Sequence, residues 1–410
     1  MSIRETARRF SETPRFVQIA DRWMIHAYYT LSPFAPDGSG RFIAAAADLE
    51  SDPVHGEVVI LDAAGNVIDS FGRNPVSASF WHTGFWQCFS PDARYAYYQS
   101  GSLKEPRIVR RELSTGTELE VEGDMEGLPP SGEPGLSCSH GLLYAAGYGT
   151  GVFDPDEAPV PFQARDRHGI SEIVFDPEPA SRLVLSTAEI LERHPQRDLL
   201  LKADREMKAK FGADDGLTLM TYCIRWSNRG DRFLFYFGNH NVVKERGEPR
   251  IASVFTADRS LKELSLAVDL SFGRRGVHWS WHPDNERLVG YGPRPDDASR
   301  ACLSVVNADG TGFRKVSGHA TGGHPSAHPT EHELYLTDTG TNPGRVELID
   351  GTDGEVIRSW ELPRVNGETE PAGRNPFRVC NHPVFNPDGT RILANILPGR
   401  NAGLCVIDVE

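Results

Sequence analysis

Four side chains of metal-binding type share one position in a repeated sequence phrase. The phrase runs from an aromatic residue through Pro-Asp, or a degenerate form of it, into a turn and an alternating apolar segment. Three residues before the start of the phrase, the fourth to seventh copies hold Cys223, His278, His324 and His382. Because equivalent positions of a cyclic repeat lie on one ring, we expect these four side chains to face a shared central volume. Mixed Cys and His ligands favour tetrahedral Zn²⁺, with other divalent metals such as Mn or Ca as alternatives.

The first two copies of the phrase carry no metal ligand at this position, where Leu31 and Trp86 stand instead. A metal-free polar plug of the channel is therefore the alternative to a metal site. Cys380 lies two residues before His382 on the same strand face and is a competing ligand for Cys223.

The repeated phrase also predicts the elements that position these ligands. Proline fixes φ for a turn, Asp hydrogen-bonds to the turn backbone and Gly accepts positive φ, while alternating apolar residues indicate strands. Clear copies begin near residues 34, 89, 226, 281, 327 and 385, and residues 139–148 are interpreted as a weaker copy within the long gap. Units of four strands at a period of about 50 residues are typical of propeller blades.

The sequence therefore predicts an all-β fold, a seven-bladed β-propeller that spans residues 1–410 as a single domain. Six or eight blades remain alternatives. The last unit has room for only about three strands, so the stretch around residues 16–24 is expected to complete it and close the ring. A Leu-, Lys- and Glu-rich segment at about residues 186–215 predicts a helical insertion, which either forms a wall of the binding site or covers a blade edge.

Composition narrows the function. The 43 Lys and Arg residues against 57 Asp and Glu residues give a net charge of −14, which argues against a nucleic-acid binder. No apolar run approaches the roughly 20 residues that cross a bilayer, so no membrane association is expected. The start of the sequence is charged and shows no signal peptide, and the six Cys residues are scattered, a pattern of reduced thiols. Both features predict a cytoplasmic protein.

Three His-bearing phrases resemble motifs of the propeller polysaccharide lyases, a group that includes oligogalacturonate lyases, propeller ulvan lyases and rhamnose–glucuronate lyases. They are Gly-Val-His-Trp-Ser-Trp at 276–281, Gly-His-Pro-Ser-Ala-His-Pro at 323–329 and Arg-Val-Cys-Asn-His-Pro-Val-Phe-Asn-Pro-Asp-Gly at 378–389. The resemblance implies cleavage of an acidic oligo- or polysaccharide beside a uronic acid by β-elimination, which leaves a 4,5-unsaturated product. Such a site needs a group that neutralises the carboxylate, a base for the C5 proton and an acid for the leaving oxygen.

The resemblance also assigns residues. It implies proton transfer by His82 and Tyr148, charge neutralisation by Arg165 or Arg167, and a metal on the ring of Cys223 and the three His residues. Ulvan lyases carry a second His about 20 residues after the first, where this sequence has Ser102 instead, and His140 is the candidate replacement. Further substrate contacts are expected from Arg225 and His240.

The rival prediction is a non-catalytic propeller scaffold of the WD40 or TolB type that binds a protein or a glycan. It shares the blade pattern, because Pro-Asp-Gly turns also occur in propellers without enzymatic activity.

Overall fold

The computed structural model describes residues 2–19, 22–48, 51, 54–76, 83–102, 104–148, 151–240, 246–318, 322–340, 343–362, 379–396 and 402–410. Over these residues the chain folds into seven four-stranded antiparallel sheets, which are the blades of a propeller. The predicted all-β, seven-bladed fold is confirmed. In six blades the four strands follow in chain order, so each blade is a meander of hairpins.

Each of the first three blades is a meander of four strands. Blade 1 comprises β2 (Trp23–Ile25), β3 (Phe42–Asp48), β4 (His55–Leu61) and β5 (Val67–Pro75). Blade 2 comprises β6 (Cys88–Phe89), β7 (Tyr95–Gly101), β8 (Pro106–Glu112) and β9 (Glu118–Glu122). Blade 3 comprises β10 (Asp124–Met125), β11 (Gly135–Cys138), β12 (Gly169–Val174) and β13 (Ala180–Ser186).

The next three blades follow the same plan. Blade 4 comprises β14 (Met220–Trp226), β15 (Arg232–Gly238), β16 (Ala252–Asp258) and β17 (Leu264–Asp269). Blade 5 comprises β18 (Val277–Trp281), β19 (Arg287–Pro293), β20 (Ala301–Asn307) and β21 (Arg314–Ser317). Blade 6 comprises β22 (Ser326–Ala327), β23 (Leu334–Asp338), β24 (Gly344–Asp350) and β25 (Val356–Leu362).

Blade 7 joins the two ends of the chain. Its three C-terminal strands are β26 (Val384–Phe385), β27 (Arg391–Ile396) and β28 (Gly403–Asp408). The N-terminal strand β1 (Arg15–Val17) pairs antiparallel with β28 and supplies the fourth strand. The chain then enters β2 of blade 1, so the expected ring closure by the N-terminal stretch is confirmed.

The helices occupy connections between strands. They are α1 (Ile3–Arg8), α2 (His140–Ala145), α3 (Thr187–Arg193) and α4 (Arg197–Phe211), with one 3₁₀ turn at Pro155–Glu157. The apolar faces of α3 and α4, which include Ile190, Leu200 and Met207, pack with Phe233 and Phe237 of blade 4. None of the described residues of α3 and α4 lines the central cavity. The helices therefore cover the outside of the blades, which is the second of the two roles expected for the insertion.

One part of the third repeat was predicted wrongly. Residues 139–148 do not form a strand: Ser139 caps α2 by accepting the Leu142 N–H at 3.4 Å, and the chain turns through residues 146–148 after the helix. The strands of blade 3 lie on either side of this segment. Leu142, Leu143 and Ala146 pack into one apolar cluster, so a helix buries these residues more completely than a strand with one exposed face.

Among the described residues, no helix is long and apolar enough to span a bilayer.

Candidate functional site

The repeat position with the predicted ligands has the same unusual backbone in several blades. Trp86, Cys223, His278 and His382 all have positive φ, from 44° to 60°. Non-glycine residues rarely adopt this conformation, and in blades 4 and 5 it coincides with a shift in the strand register. The sequence comparison between repeats therefore selected structurally equivalent positions. Such backbone strain concentrates at functional sites, because the surrounding structure must hold it in place.

Three of the four predicted ligands meet at the propeller axis. The rings of His278 and His324 stack with centroids 4.1 Å apart, and the ring of His382 meets His324 edge-on at 4.2 Å. Tyr28 and Tyr29, from the segment after β2, pack against all three imidazoles with centroids 4.7–6.4 Å away. We call His278, His324 and His382 the axial histidines.

Hydrogen bonds fix the orientation of two axial histidines. The Nδ1 atom of His278 lies 2.7 Å from the Gly323 carbonyl oxygen, so it carries the proton and leaves the lone pair on Nε2. The Nδ1 atom of His324 lies 2.9 Å from Oδ1 of Asp338, an arrangement common for metal-binding histidines. Burial and the nearby Arg225 lower the pKa of His278 to about 4, so this ring is neutral at pH 7.

The donor chemistry of the axial histidines fits a divalent transition metal, since two of the rings are oriented as metal-binding imidazoles are. However, the donor atoms of Cys223 and the three axial histidines are not as close together as those of a second group of possible metal ligands. Within the described part of the chain, three donor atoms lie within 4.8 Å of one another only in Glu126, Cys138 and His140. A metal site formed by Cys223 and the axial histidines therefore remains a prediction.

A cavity of about 120 Å³ adjoins the axial histidines and contains most of the predicted site residues. Six of them line it: His140, Tyr148, Cys223, Arg225, His240 and His278. These residues come from three consecutive blades, and His140 and Tyr148 are carried by α2 and the turn that follows it. The fold thus brings into one space residues that are up to 138 positions apart (140 to 278) in the sequence.

Arg225 is the buried cation of this cavity. It is 3% exposed, donates to the Tyr29 hydroxyl at 3.2 Å and to the Trp279 carbonyl, and lies over the rings of Tyr28 and Tyr236. Among the described residues no carboxylate lies within ion-pair distance of it, and its Nε has no hydrogen-bond partner. A buried guanidinium without an anion is costly, so a negative group that entered the cavity would be stabilised by it.

Tyr148 and His240 face each other in the cavity, with ring centroids 5.0 Å apart. Burial, together with nearby Arg250, lowers the pKa of His240 to about 4, and its Nδ1 has no partner among the described residues. Burial raises the pKa of Tyr148 well above its usual value. At neutral pH the pair therefore offers an uncharged imidazole and a protonated phenol.

His140 is held in a network of acidic groups. Its Nε2 lies 2.9 Å from Oε1 of Glu126, its backbone N–H donates to Asp124 at 2.8 Å, and its ring stacks on Trp86. Burial opposes a charge on His140, but Cys138, Glu126 and Asp124 together raise its pKa well above 6.5.

Among the described residues, four other predicted ones do not line this cavity: Arg165, Arg167, His324 and His382. The Arg165 guanidinium donates to Asp204 of α4 at 2.5 Å and to the Leu217 carbonyl at 2.8 Å, so it ties the helix to the chain that enters blade 4. Arg167 is exposed and lies outside the cavity lining. Both placements disfavour the expected neutralising role, because the first cation is already paired and the second is solvated. His82 lies outside the described residues.

Sequence reasoning missed several residues that line the cavity. Glu126, Tyr28, Tyr144, Tyr222, Tyr236 and Arg250 belong to this group. The Arg250 guanidinium donates to the carbonyls of Leu270, Arg274 and Gly276. None of these residues occupies the repeat position of the predicted ligands, although Tyr144 lies within the weaker copy at 139–148. A second comparison between repeats, made along the strands that follow the first in each blade, would have found Tyr236.

The fold has counterparts among solved structures. It is similar to an oligogalacturonate lyase in complex with manganese, with a TM-score of 0.63 and 13% identity over 97% of this chain and 96% of that chain. A second oligogalacturonate lyase, from Vibrio parahaemolyticus, gives a TM-score of 0.59 and 12% identity over 98% and 97% of the two chains. A scan of protein-family models and a search of curated proteins found no match to the sequence.

At these identities the similarity concerns the fold. The chain has the seven-bladed propeller architecture of the oligogalacturonate lyases, and the resemblance seen in the His-bearing phrases is confirmed at that level.

Proposed function

We propose that the protein is a lyase that cleaves an acidic oligo- or polysaccharide beside a uronic acid by β-elimination and leaves a 4,5-unsaturated uronate. The observation that carries this proposal is the buried Arg225, which lacks a carboxylate partner among the described residues and lies in one cavity with Tyr148, His240 and His278.

In β-elimination beside a uronic acid, a cation must neutralise the carboxylate before a base can remove the C5 proton. Loss of the C5 proton places negative charge beside a carboxylate, and an ionised carboxylate makes that carbanion less stable. Arg225 would pair with the uronate carboxylate and accept the developing charge in a dry site, where its effect is larger than in water. We therefore assign charge neutralisation to Arg225 in place of Arg165 or Arg167.

His240 and Tyr148 fit the two proton transfers. The neutral imidazole of His240 accepts the C5 proton, and the phenol of Tyr148 donates its proton to the departing O4 oxygen. Both residues line the same cavity, so both proton transfers would take place on the same bound sugar. His140, already engaged with Glu126, would contact the substrate rather than exchange protons with it.

A divalent metal, Zn²⁺ or Mn²⁺, would be held by the axial histidines, with Cys223 or Cys380 as a further candidate ligand. When bound, it would act as a Lewis acid toward the uronate carboxylate and share the charge with Arg225. Asp338 then orients His324, and the Gly323 carbonyl orients His278.

The assignment is tested with Arg225→Lys. Lysine keeps the positive charge but loses the planar fork that binds a carboxylate through two hydrogen bonds, so we expect kcat/KM on uronate oligomers to fall at least 100-fold. Arg94→Lys, on a surface arginine paired with Glu112, is the matched control and should retain full activity. Equal loss in both variants, or no loss in Arg225→Lys, would contradict the role.

A non-catalytic scaffold predicts a different outcome. Purified protein would then bind glycan or protein without changing it, and no substitution in the cavity would alter a rate.

A further inference from the structure

A second cluster of metal-binding side chains lies in blade 3, at its first two strands and the helix that follows them, and is separate from the axial histidines. Glu126 follows β10, Cys138 ends β11 and His140 begins α2, and one donor atom from each lies within 4.8 Å of the others. All three residues are buried, with exposures of 3–5%. The cluster lies three blades away from His382. It shares no residue with the predicted ligand set of Cys223 and the axial histidines.

The cluster holds more negative than positive groups. Glu126 and Asp124 are carboxylates and Cys138 is an ionisable thiol, whereas His140 is the only base in contact with them among the described residues. One carboxylate oxygen of Glu126, Oε1, accepts from the Cys223 N–H at 2.9 Å and contacts His140. The other oxygen, Oε2, is buried and has no hydrogen-bond partner among the described residues.

An unpaired carboxylate oxygen at this depth costs free energy that one imidazole does not offset. A divalent cation would satisfy it, since carboxylate oxygen, thiolate sulfur and imidazole nitrogen are together a donor set that zinc accepts. Asp124 supports the arrangement, because it accepts the backbone N–H of His140 at 2.8 Å and lies 3.6 Å from its Nδ1.

We infer that Glu126, Cys138 and His140 form a second, structural metal site that binds Zn²⁺ or a similar thiolate-binding cation. The metal would connect the end of β11 and the start of α2 to the chain that leaves β10. Because Tyr148 follows α2 directly, the site would also hold that tyrosine in the cavity. The inference does not depend on the lyase proposal.

Cobalt provides the test, because Co²⁺ bound to a thiolate absorbs in the near ultraviolet through sulfur-to-metal charge transfer, whereas Co²⁺ bound only to imidazoles does not. The full-length protein is stripped with a chelator, titrated with Co²⁺ and compared with Cys138→Ser and Cys223→Ser. We expect the band in the wild type and in Cys223→Ser, and a clear loss of band intensity in Cys138→Ser, whatever thiolate the axial site contributes. An unchanged band in Cys138→Ser would overturn the inference. A band that is absent from the wild type, or that disappears only in Cys223→Ser, would overturn the inference.

Two further measurements keep the test decisive if Cys138→Ser folds poorly. X-ray absorption of the zinc-loaded wild type should show one sulfur ligand at about 2.3 Å, and Glu126→Gln should weaken zinc binding at least 10-fold. His324→Ala, which removes an axial histidine, should leave the cobalt band unchanged. Zinc-loaded protein in which no sulfur ligand is detected would contradict the assignment.

Discussion

At the scale of single residues, the site combines a buried cation with neutral proton-transfer groups. Arg225 is charged and lacks an anion among the described residues, whereas His240 and His278 are kept uncharged by burial and by nearby arginines. This combination attracts a carboxylate and leaves imidazole lone pairs available. Arg225 would thus give the proposed anionic substrate a local attraction in a chain whose net charge is −14.

Tyr148→Phe tests the proton donor. The change removes only the phenolic hydroxyl and keeps the ring contacts with Tyr144 and His240, so substrate binding should persist. We expect kcat to fall by about 10²–10⁴, the usual contribution of a general acid, with KM nearly unchanged. Steady-state rates on uronate oligomers check this, with Tyr98→Phe on blade 2 as the control. Unchanged kcat in Tyr148→Phe would remove the tyrosine from the mechanism.

The residues that the sequence could predict are those that share a repeated position. Cys223, His278 and His382 were found because identical places in the blades can be compared within one chain, and their common positive φ shows that the comparison was sound. Glu126 and Arg250 stand at no such position. For Arg165, a sequence motif does not reveal that Asp204, 39 residues later, pairs with it.

At the scale of elements, the blades are predictable and their insertions are not. Turn residues and alternating apolar strands define each blade locally, whereas α2 depends on its burial against blade 4. The same holds for α3 and α4, whose helical pattern was visible but whose docking surface on blade 4 was not.

The docking of α3 and α4 should weaken in acid because of His194. Its Nδ1 accepts the Gln196 N–H at 3.0 Å and its Nε2 contacts Ser253. Burial lowers the pKa of this ring to about 4, so it is neutral at pH 7. Between the unfolded pKa of about 6.5 and the folded value, the unfolded chain binds more protons, so stability falls as pH falls. We expect a loss of up to about 3 kcal/mol from this group over that window.

His194→Asn provides the check on this window. Asparagine keeps an acceptor for the Gln196 N–H but does not titrate, so the free energy of unfolding should depend less steeply on pH between 6.5 and 4. Chemical denaturation at several pH values measures the slope. An identical slope in the variant and the wild type would show that His194 does not contribute.

At the scale of the whole molecule, the ring of seven blades is closed by a single short strand, β1. β1 completes blade 7, and the chain continues directly into blade 1, so the two ends of the chain meet in one sheet. A closed ring holds the axial histidines of blades 5 to 7 against Tyr28 and Tyr29 of blade 1.

Two neighbouring substitutions in β1 test this closure. Val17 is 5% exposed and packs in the core shared by blades 7 and 1, whereas Phe16 is 52% exposed. We expect Val17→Ser to lower the free energy of unfolding by about 2 kcal/mol and Phe16→Ser to change it by less than about 0.5 kcal/mol. Denaturant unfolding measures both. Equal effects would mean that β1 is not fixed in the sheet as described.

The proposed β-elimination is tested by the ultraviolet absorbance of uronate oligomers incubated with the protein. Galacturonan, ulvan and rhamnose–glucuronate fragments are each offered with Mn²⁺ or Zn²⁺, and the absorbance of the conjugated enoate is followed over time. We expect a steady rise in absorbance on at least one substrate and its loss in Arg225→Lys. Correctly folded, metal-loaded protein that produces no enoate from any of the three would contradict it.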